Sequence, residues 1–386
     1  MTHKCLYSAQ MYESIKKGGL MATALFSPIK LRGLTIVNRV TVAPMCQYSA
    51  TDGVPQDWHL VHLGQFALSG PGLILTEATG VEPQGRITLG CTGLYNNANE
   101  QAFSRIINFI KSVSDIAVGI QLGHAGRKGN TVEPWKGGGM IEGKGAWHPQ
   151  APSAVPYLSG WPAPDPMNND DLCRVKKAFV DATLRADRAG FDTIQIHMAH
   201  GYLLHQFLSP ITNRRSDKYG GDLNSRMRYP LEVFEAVRAA FPSEKPVMVR
   251  LSATDWIEGG WDIEQSIEFC RALKKIGCDM IDVSSGGLDQ AQKIKTGPGY
   301  QTDLSQRIRS EAGIATMTVG QITEPIQAET ILRTEQADMV ALARGMLWDP
   351  RWTWKAAVAL DQEIKLPAPY ARCNPKLSAT PFVSRK

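Results

Sequence analysis

Val247-Met248-Val249-Arg250-Leu251-Ser252 is a short apolar run rich in β-branched residues, and Met280-Ile281-Asp282-Val283-Ser284 is a second. Between them Asp262 precedes Ile263–Ile276, whose apolar residues fall three and four apart, the spacing of an amphipathic helix behind a capping carboxylate. The same strand and helix alternation extends in both directions. Strands are read at Arg39–Met45, Leu73–Thr79, Val118–Gly123 and Thr193–His197 on one side, and at Thr316–Gly320 and Met339–Ala343 on the other. Leu172–Ala189 and Pro325–Thr334 are helical stretches between them. Eight strands, each followed by a helical segment, predict an α/β chain closed into a (β/α)8 TIM barrel. A doubly wound open sheet ordinarily carries a glycine fingerprint after its first strand, and Ala43-Pro44-Met45-Cys46 is not one. The segment Arg127–Asn168, rich in Gly, Pro and Trp, follows the third strand. It is too long for a plain connection and reads as a lid or pocket wall.

The bulk properties bound the function. A chain of 386 residues, 43% hydrophobic and 20% charged, buries enough surface to need no metal or disulfide staple. Its net charge is +5, but the 42 Lys and Arg are scattered, which argues against a nucleic-acid partner. Seven cysteines without a CxxC pair argue against a disulfide framework and against a zinc or iron–sulfur knot. Residues 1–20 interleave Lys, Glu and Ser with no apolar core, so no signal peptide is expected, and no run approaches the length of a membrane span. A cytoplasmic protein with no membrane partner is the expectation. Met21 resembles a second start, so residues 1–20 are expected to be an unstructured extension, 21–365 the barrel, and 366–386 a C-terminal tail.

Polar residues gather where the predicted strands end: Cys46, Glu77, Gln121, His124, His197, His200, Arg250 and Arg344. In a (β/α)8 barrel the site lies at those ends, so the distribution predicts one shared pocket. The run His197-Met198-Ala199-His200-Gly201-Tyr202-Leu203-Leu204-His205-Gln206-Phe207-Leu208-Ser209-Pro210 continues through Asn213-Arg214-Arg215 to Tyr219-Gly220-Gly221 and Arg226. It resembles the old yellow enzyme family, and the likeness extends from Leu25 to Arg372. Ala43-Pro44-Met45-Cys46-Gln47-Tyr48-Ser49 resembles the cysteine-containing, thermophilic-like (class II) subgroup, which places a cysteine beside the flavin.

The resemblance implies FMN as cofactor, reduced by NADPH or NADH, and a ping-pong transfer of hydride to the activated C=C bond of α,β-unsaturated carbonyl or nitro compounds. The phosphate is expected after strands seven and eight, near Gly320, Ala343 and Arg344. The family usually has glycine where this chain has Ala343. Gln121 suits the pyrimidine edge and Arg250 the N1/O2 side, where negative charge accumulates on reduction. Pro44, Met45 and Ala78 are expected against the ring or through their backbones, and Cys46 near O4/N5. His197 and His200 converge on a substrate oxygen, polarising the conjugated bond and stabilising the charge that develops. Tyr202 then delivers a proton to the α-carbon. Tyr48 lines the substrate pocket, with Trp147, Tyr157 and Tyr300 as candidate caps. The tail resembles a segment that reaches a neighbouring subunit, with Arg372 acting in trans, and a homodimer or homotetramer is expected. The chain ends soon after its eighth helix, so electrons are expected to reach FMN directly from the nicotinamide.

Other readings stand beside this one. HxxH can be structural, or a metal site of a TIM-barrel hydrolase with His124, Glu77 or Asp282 completing it, although arginine beside a divalent cation is repelled. A barrel can also bind flavin without turnover. Dihydroorotate dehydrogenases and dihydrouridine synthases share the phosphate site, but typically use a loop cysteine or serine as base, and the RNA-modifying ones add a basic RNA-binding domain. Neither feature is visible here, and the two histidines with Tyr202 favour ene reduction.

Overall fold

The computed structural model describes residues 23–363 and 365–374; the extension expected over residues 1–20 lies outside them. The chain enters through an antiparallel hairpin, β1 (Ile29–Leu31) and β2 (Leu34–Ile36). It then runs through β3 (Val40–Val42), β4 (Leu73–Gly80) and β5 (Ala117–Gly123). A short parallel pair, β6 (Gln150–Ala151) and β7 (Asp165–Pro166), lies in the insertion. β8 (Thr193–Met198), β9 (Val247–Ser252), β10 (Met280–Ser284), β11 (Thr316–Val319) and β12 (Met339–Leu342) follow. The eight longer-range strands close into a parallel barrel in the order β10-β11-β12-β3-β4-β5-β8-β9.

The ends of these elements have local causes. The Ala43 N–H still reaches the Leu342 carbonyl at 3.0 Å, but Pro44 has no N–H to continue the ladder, so β3 stops short of the predicted Met45. The helix expected from Leu172 begins earlier, at Asn169, because Asn168 and Asp171 cap it reciprocally. It ends at Gly190, in the left-handed region at φ 94°. Asp262 caps the helix Ile263–Lys275 by accepting the Gln265 N–H at 3.0 Å.

Period-two alternation sorts each strand between two cores. Val247, Val249 and Leu251 of β9 face outward and pack with Phe269 and Leu273 of the following helix. Each such fully buried side chain contributes about 1.5–3 kcal/mol relative to exposure. Met248, Met280, Met317 and Met339 face inward and pack with Leu31 and Ile36, so the entry hairpin plugs the N-terminal end of the barrel. One step further along the same strands the inward residues become polar: Arg250 and Asp282, neighbours across the β9–β10 register. The barrel is therefore dry and apolar at one end and polar at the other.

Arg127 braces the insertion. It donates to the carbonyls of Val155 (3.3 Å) and Pro156 (2.9 Å), and to that of Leu288 (2.7 Å) in the loop after β10. The tail leaves along the opposite end of the barrel. Lys365 pairs with Asp115 at 2.6 Å just before β5, and Tyr370 packs edge-on to Trp354 with Arg351 5.5 Å from its ring.

Candidate active site

His197 is the last inward-facing residue of β8, and its Nδ1 accepts the Ala199 N–H at 3.2 Å. That bond leaves the proton on Nε2. The chain then turns sharply: His200 sits at φ 59° and its N–H donates to Ser252 Oγ at 2.9 Å. Gly201, at φ 73°, must be glycine, because a Cβ there would lie 2.4 Å from the Gly287 carbonyl oxygen. The turn sets the two imidazoles 5.1 Å apart at 88°, and brings the Tyr202 ring to 4.9 Å from His197 at 80°. His200 Nε2 lies 2.7 Å from Ser284 Oγ.

Protonation follows from these surroundings. Burial, then the nearby Arg250 guanidinium, holds both imidazoles well below the usual histidine range, so both are neutral. Burial pushes the Tyr202 phenol well above 10, with Cys46 and Tyr48 adding to the effect. The Cys46 thiol is likewise pushed up by burial and stays neutral. It has hydrogen-bond contact with the Ala78 backbone and the Tyr48 hydroxyl. Two neutral N–H donors and a protonated phenol thus share one small volume.

A polar chain crosses the barrel beneath them. Gln121 Nε2 donates to Gln195 Oε1 at 2.6 Å, and Gln195 Nε2 donates to Asp282 Oδ2 at 3.0 Å. The same carboxylate oxygen lies 3.5 Å from Arg250 Nε. Burial pushes the Asp282 carboxyl up, and Arg250 opposes this. Among the described residues Asp282 Oδ1 is buried without a hydrogen-bond partner, and Arg250 Nε has only its ion pair with the other carboxylate oxygen. An unpartnered buried carboxylate oxygen costs about 1–3 kcal/mol, and beside a guanidinium it leaves a wall that a polar ligand edge would fit. After β11, Gly320 adopts φ 129°, and a Cβ would sit 2.9 Å from the Tyr300 ring and 3.0 Å from Gln301. Ala343 precedes the exposed Arg344, which has no ion pair or hydrogen bond among the described residues and is free to take an anion. Amide, guanidinium and open backbone in this order fit FMN: Gln121 and Arg250 could take the ring's polar edge, and Gly320 and Arg344 the phosphate.

Other expected residues divide. Ala78 faces Gln121 across the register, whereas the Met45 side chain packs outward with His59, His62 and Glu77, leaving only its backbone toward the site. Glu77 and His124 were expected in the shared pocket; the structure corrects Glu77, while His124 lines a small cavity with His197 and Tyr202 but has its ring tied to a carboxylate. Glu77 receives His59 Nε2 (3.0 Å) and the Gln47 N–H (3.1 Å) outside the barrel, because β4 shifts register between Leu75 and Ala78. His124 pairs with Glu82 at 3.0 Å, and Glu82 with Arg174. Among the described residues no three His, Cys, Asp or Glu side chains are placed to share a metal ion. Tyr48 and Tyr157 line a cavity next to the site, Tyr300 stands beside Gly320, and Trp147 lies under Arg86 instead. Arg372 is exposed on the tail, away from the histidines of its own chain. Ser284, Gln195 and Lys128 were missed. Gln195 was readable, since alternation in Thr193-Ile194-Gln195-Ile196-His197 puts it on the face of His197.

A parallel eight-stranded barrel with amide, guanidinium and imidazole groups gathered at the C-terminal ends of its strands has the layout of a flavin oxidoreductase. Residues 24–363 match the NADH:flavin oxidoreductase / NADH oxidase family. The chain is 41% identical over 354 residues to an NADPH dehydrogenase of Geobacillus thermodenitrificans, covering 91% of this chain and 99% of the relative. It is also 41% identical over 364 residues to an NADH:flavin oxidoreductase of Gibberella zeae, covering 89% and 88%. Among solved structures, morphinone reductase superposes with a TM-score of 0.73 at 26% identity, covering 94% of this chain and 95% of that one. The chain belongs to this family: it is an FMN-dependent NADH or NADPH oxidoreductase of the old yellow enzyme type. No helix among the described residues is long and apolar enough to cross a membrane.

Proposed function

We propose that this enzyme reduces the activated C=C bond of small α,β-unsaturated carbonyl or nitro compounds in a ping-pong cycle. The observation that carries the reading is the pair of neutral imidazoles set at 88°, with a protonated phenol against one of them. FMN, held by Gln121, Arg250, Gly320 and Arg344, would supply the hydride chemistry between NADPH or NADH and the substrate β-carbon. His197 offers Nε2–H to the substrate oxygen. The 2.7 Å contact to His200 Nε2, against 3.4 Å to Gln301 Oε1, favours Ser284 as donor to the ring, and His200 would then offer Nδ1–H. Two donors aimed at the oxygen withdraw charge from the conjugated bond and hold the negative charge that develops. Tyr202 gives its proton to the α-carbon. Two electrons and one proton come from the nicotinamide as hydride, the second proton comes from Tyr202, and solvent reprotonates the phenolate. A metal between the two histidines is disfavoured by Arg250, whose charge already depresses both rings.

Substrate is walled by Tyr48 beside Cys46. Arg372, exposed on a tail that runs along the far end of its own barrel, is free to reach a neighbouring subunit, which supports a homodimer or homotetramer with Arg372 over the partner's pocket. The test is an anaerobic absorbance titration of the purified protein, first with NADPH and then with 2-cyclohexenone. Visible flavin bands that bleach and then recover support the reading. Bleaching without recovery by the enone or by a nitroalkene overturns the assigned substrate class.

A further inference from the structure

Next to the reaction site, under the insertion, lies a cavity of about 290 Å³ that opens on the far side of the substrate wall Tyr48. Tyr48, edge-on to Trp135 at 5.7 Å, forms one wall, and the Tyr157–Trp161 pair, 5.8 Å apart at 73°, forms another. The cavity borders the site directly, because Tyr48 contacts Cys46 and Lys128 lies 5.0 Å over the Tyr202 ring. Aromatic side chains from two segments lining one cavity suit a flat ring.

Lys128 supplies the charge. Its Nζ donates to the carbonyls of His200 (2.8 Å) and Gly287 (3.0 Å), and it also sits 4.8 Å over the Tyr157 ring. An ammonium has three donors, so one is left toward the cavity. The charged or titratable groups around it are Arg127 on its own turn, Tyr157 from the insertion, His197, His200 and Tyr202 from the end of β8, and Tyr48 across the cavity. None is a carboxylate. The acid in the loop after β10, Asp289, faces Arg127 at 3.9 Å. Burial, with Arg127 second, pulls the amine down to about 8, and an arriving anion would offset both effects.

We propose that this cavity is a second substrate subsite, in which a planar ring stacks between Tyr48 and Tyr157–Trp161 and places a carboxylate against Lys128. The inference rests on the ene-reduction reading and narrows its substrates to conjugated carbonyl compounds with an anionic aryl or cyclic substituent. The test compares kcat/KM for 4-carboxycinnamaldehyde and cinnamaldehyde in the holoenzyme. The expected ratio is about tenfold in favour of the carboxylate, the worth of one charge-assisted hydrogen bond in partly solvated surroundings. It should fall toward one in Lys128→Met and persist in Lys128→Arg. Taking the ratio within each variant cancels any general damage from the lost His200 contact. A wild-type ratio near one, or a ratio that survives Lys128→Met, overturns the subsite while leaving ene reduction standing. If no enone is reduced at all, the subsite is decided by tryptophan-fluorescence titration with 4-carboxycinnamaldehyde, which needs no turnover. A dissociation constant that Lys128→Met raises about tenfold supports it, and an unchanged constant overturns it.

Discussion

Replacing Tyr202 by Phe separates proton delivery from every other task of the site. The Tyr202 hydroxyl has no hydrogen bond to any described residue. Phe retains the edge contact with His197 at 4.9 Å and the Lys128 cation over the ring at 5.0 Å. Folding stability should therefore change by less than about 1 kcal/mol, since no protein partner is orphaned. A positioned general acid contributes about 10²–10⁴-fold, or roughly 3–5 kcal/mol of barrier at 1.36 kcal/mol per decade. The loss should depend on substrate, because an enolate needs an acid in place whereas a nitronate can wait for solvent. The assay is rapid anaerobic mixing of NADPH-reduced enzyme with 2-cyclohexenone or 1-nitrocyclohexene, following recovery of the visible absorbance. The expected result is a loss of at least about 10²-fold with the enone and under about tenfold with the nitroalkene. Since burial raises the Tyr202 phenol well above 10, its acid form is retained below that pH, and the wild-type enone rate should show no alkaline limb from this group below pH 10. Equal losses on the two substrates would refute the role of Tyr202.

Ser284→Ala removes the hydroxyl 2.7 Å from His200 Nε2 and frees the ring to place its proton there; KM for 2-cyclohexenone should rise about tenfold, and an unchanged KM would show that Ser284 does not set the tautomer. Glu82 is buried, which alone would raise its carboxyl, but His124 and then Arg174 hold it down to about 2. Its stabilisation is therefore present above its ordinary value of 4.5 and lost as pH falls from there toward 2, on the order of 3 kcal/mol in all. At about 2.1 cal/mol/K per residue over 386 residues, Glu82→Gln should lower the thermal midpoint at pH 7 by about 4 °C and flatten the acid limb, which calorimetry across pH can read. Arg372→Ala should raise the substrate KM in an enzyme that sediments as a dimer or tetramer; an unchanged KM in a monomer would remove the in-trans role.

How much was legible depended on how local the cause was. The inward and outward faces of β9 and β10 follow from residue order, so alternation alone puts Arg250 and Asp282 at the polar end of the barrel. Glu77 does not follow in this way, because the register shift between Leu75 and Ala78 is set by pairing with β5 and reverses the face on which Glu77 points. His124 borders His197 and Tyr202 as its strand position predicts, but that its ring is committed to Glu82 emerges only when the helix Asn169–Ala189 brings Arg174 to the same carboxylate. Lys128 reads as a loop lysine until the His200 turn and the loop after β10 present their carbonyls to it.

By itself the sequence determined the eight strand–helix repeats, the apolar and polar ends of the barrel, and the turn at His197-Met198-Ala199-His200-Gly201-Tyr202. Each depends on spacing over a few residues, which the backbone geometry of a strand, helix or turn converts directly into direction. The tertiary structure was needed to bring polar strand ends together, to set Ser284 2.7 Å from His200 Nε2, and to turn an ammonium without a carboxylate partner toward an aromatic cavity. Those outcomes depend on groups from separate strands and loops meeting at hydrogen-bond distance, and only closure of the barrel and docking of the insertion bring them there.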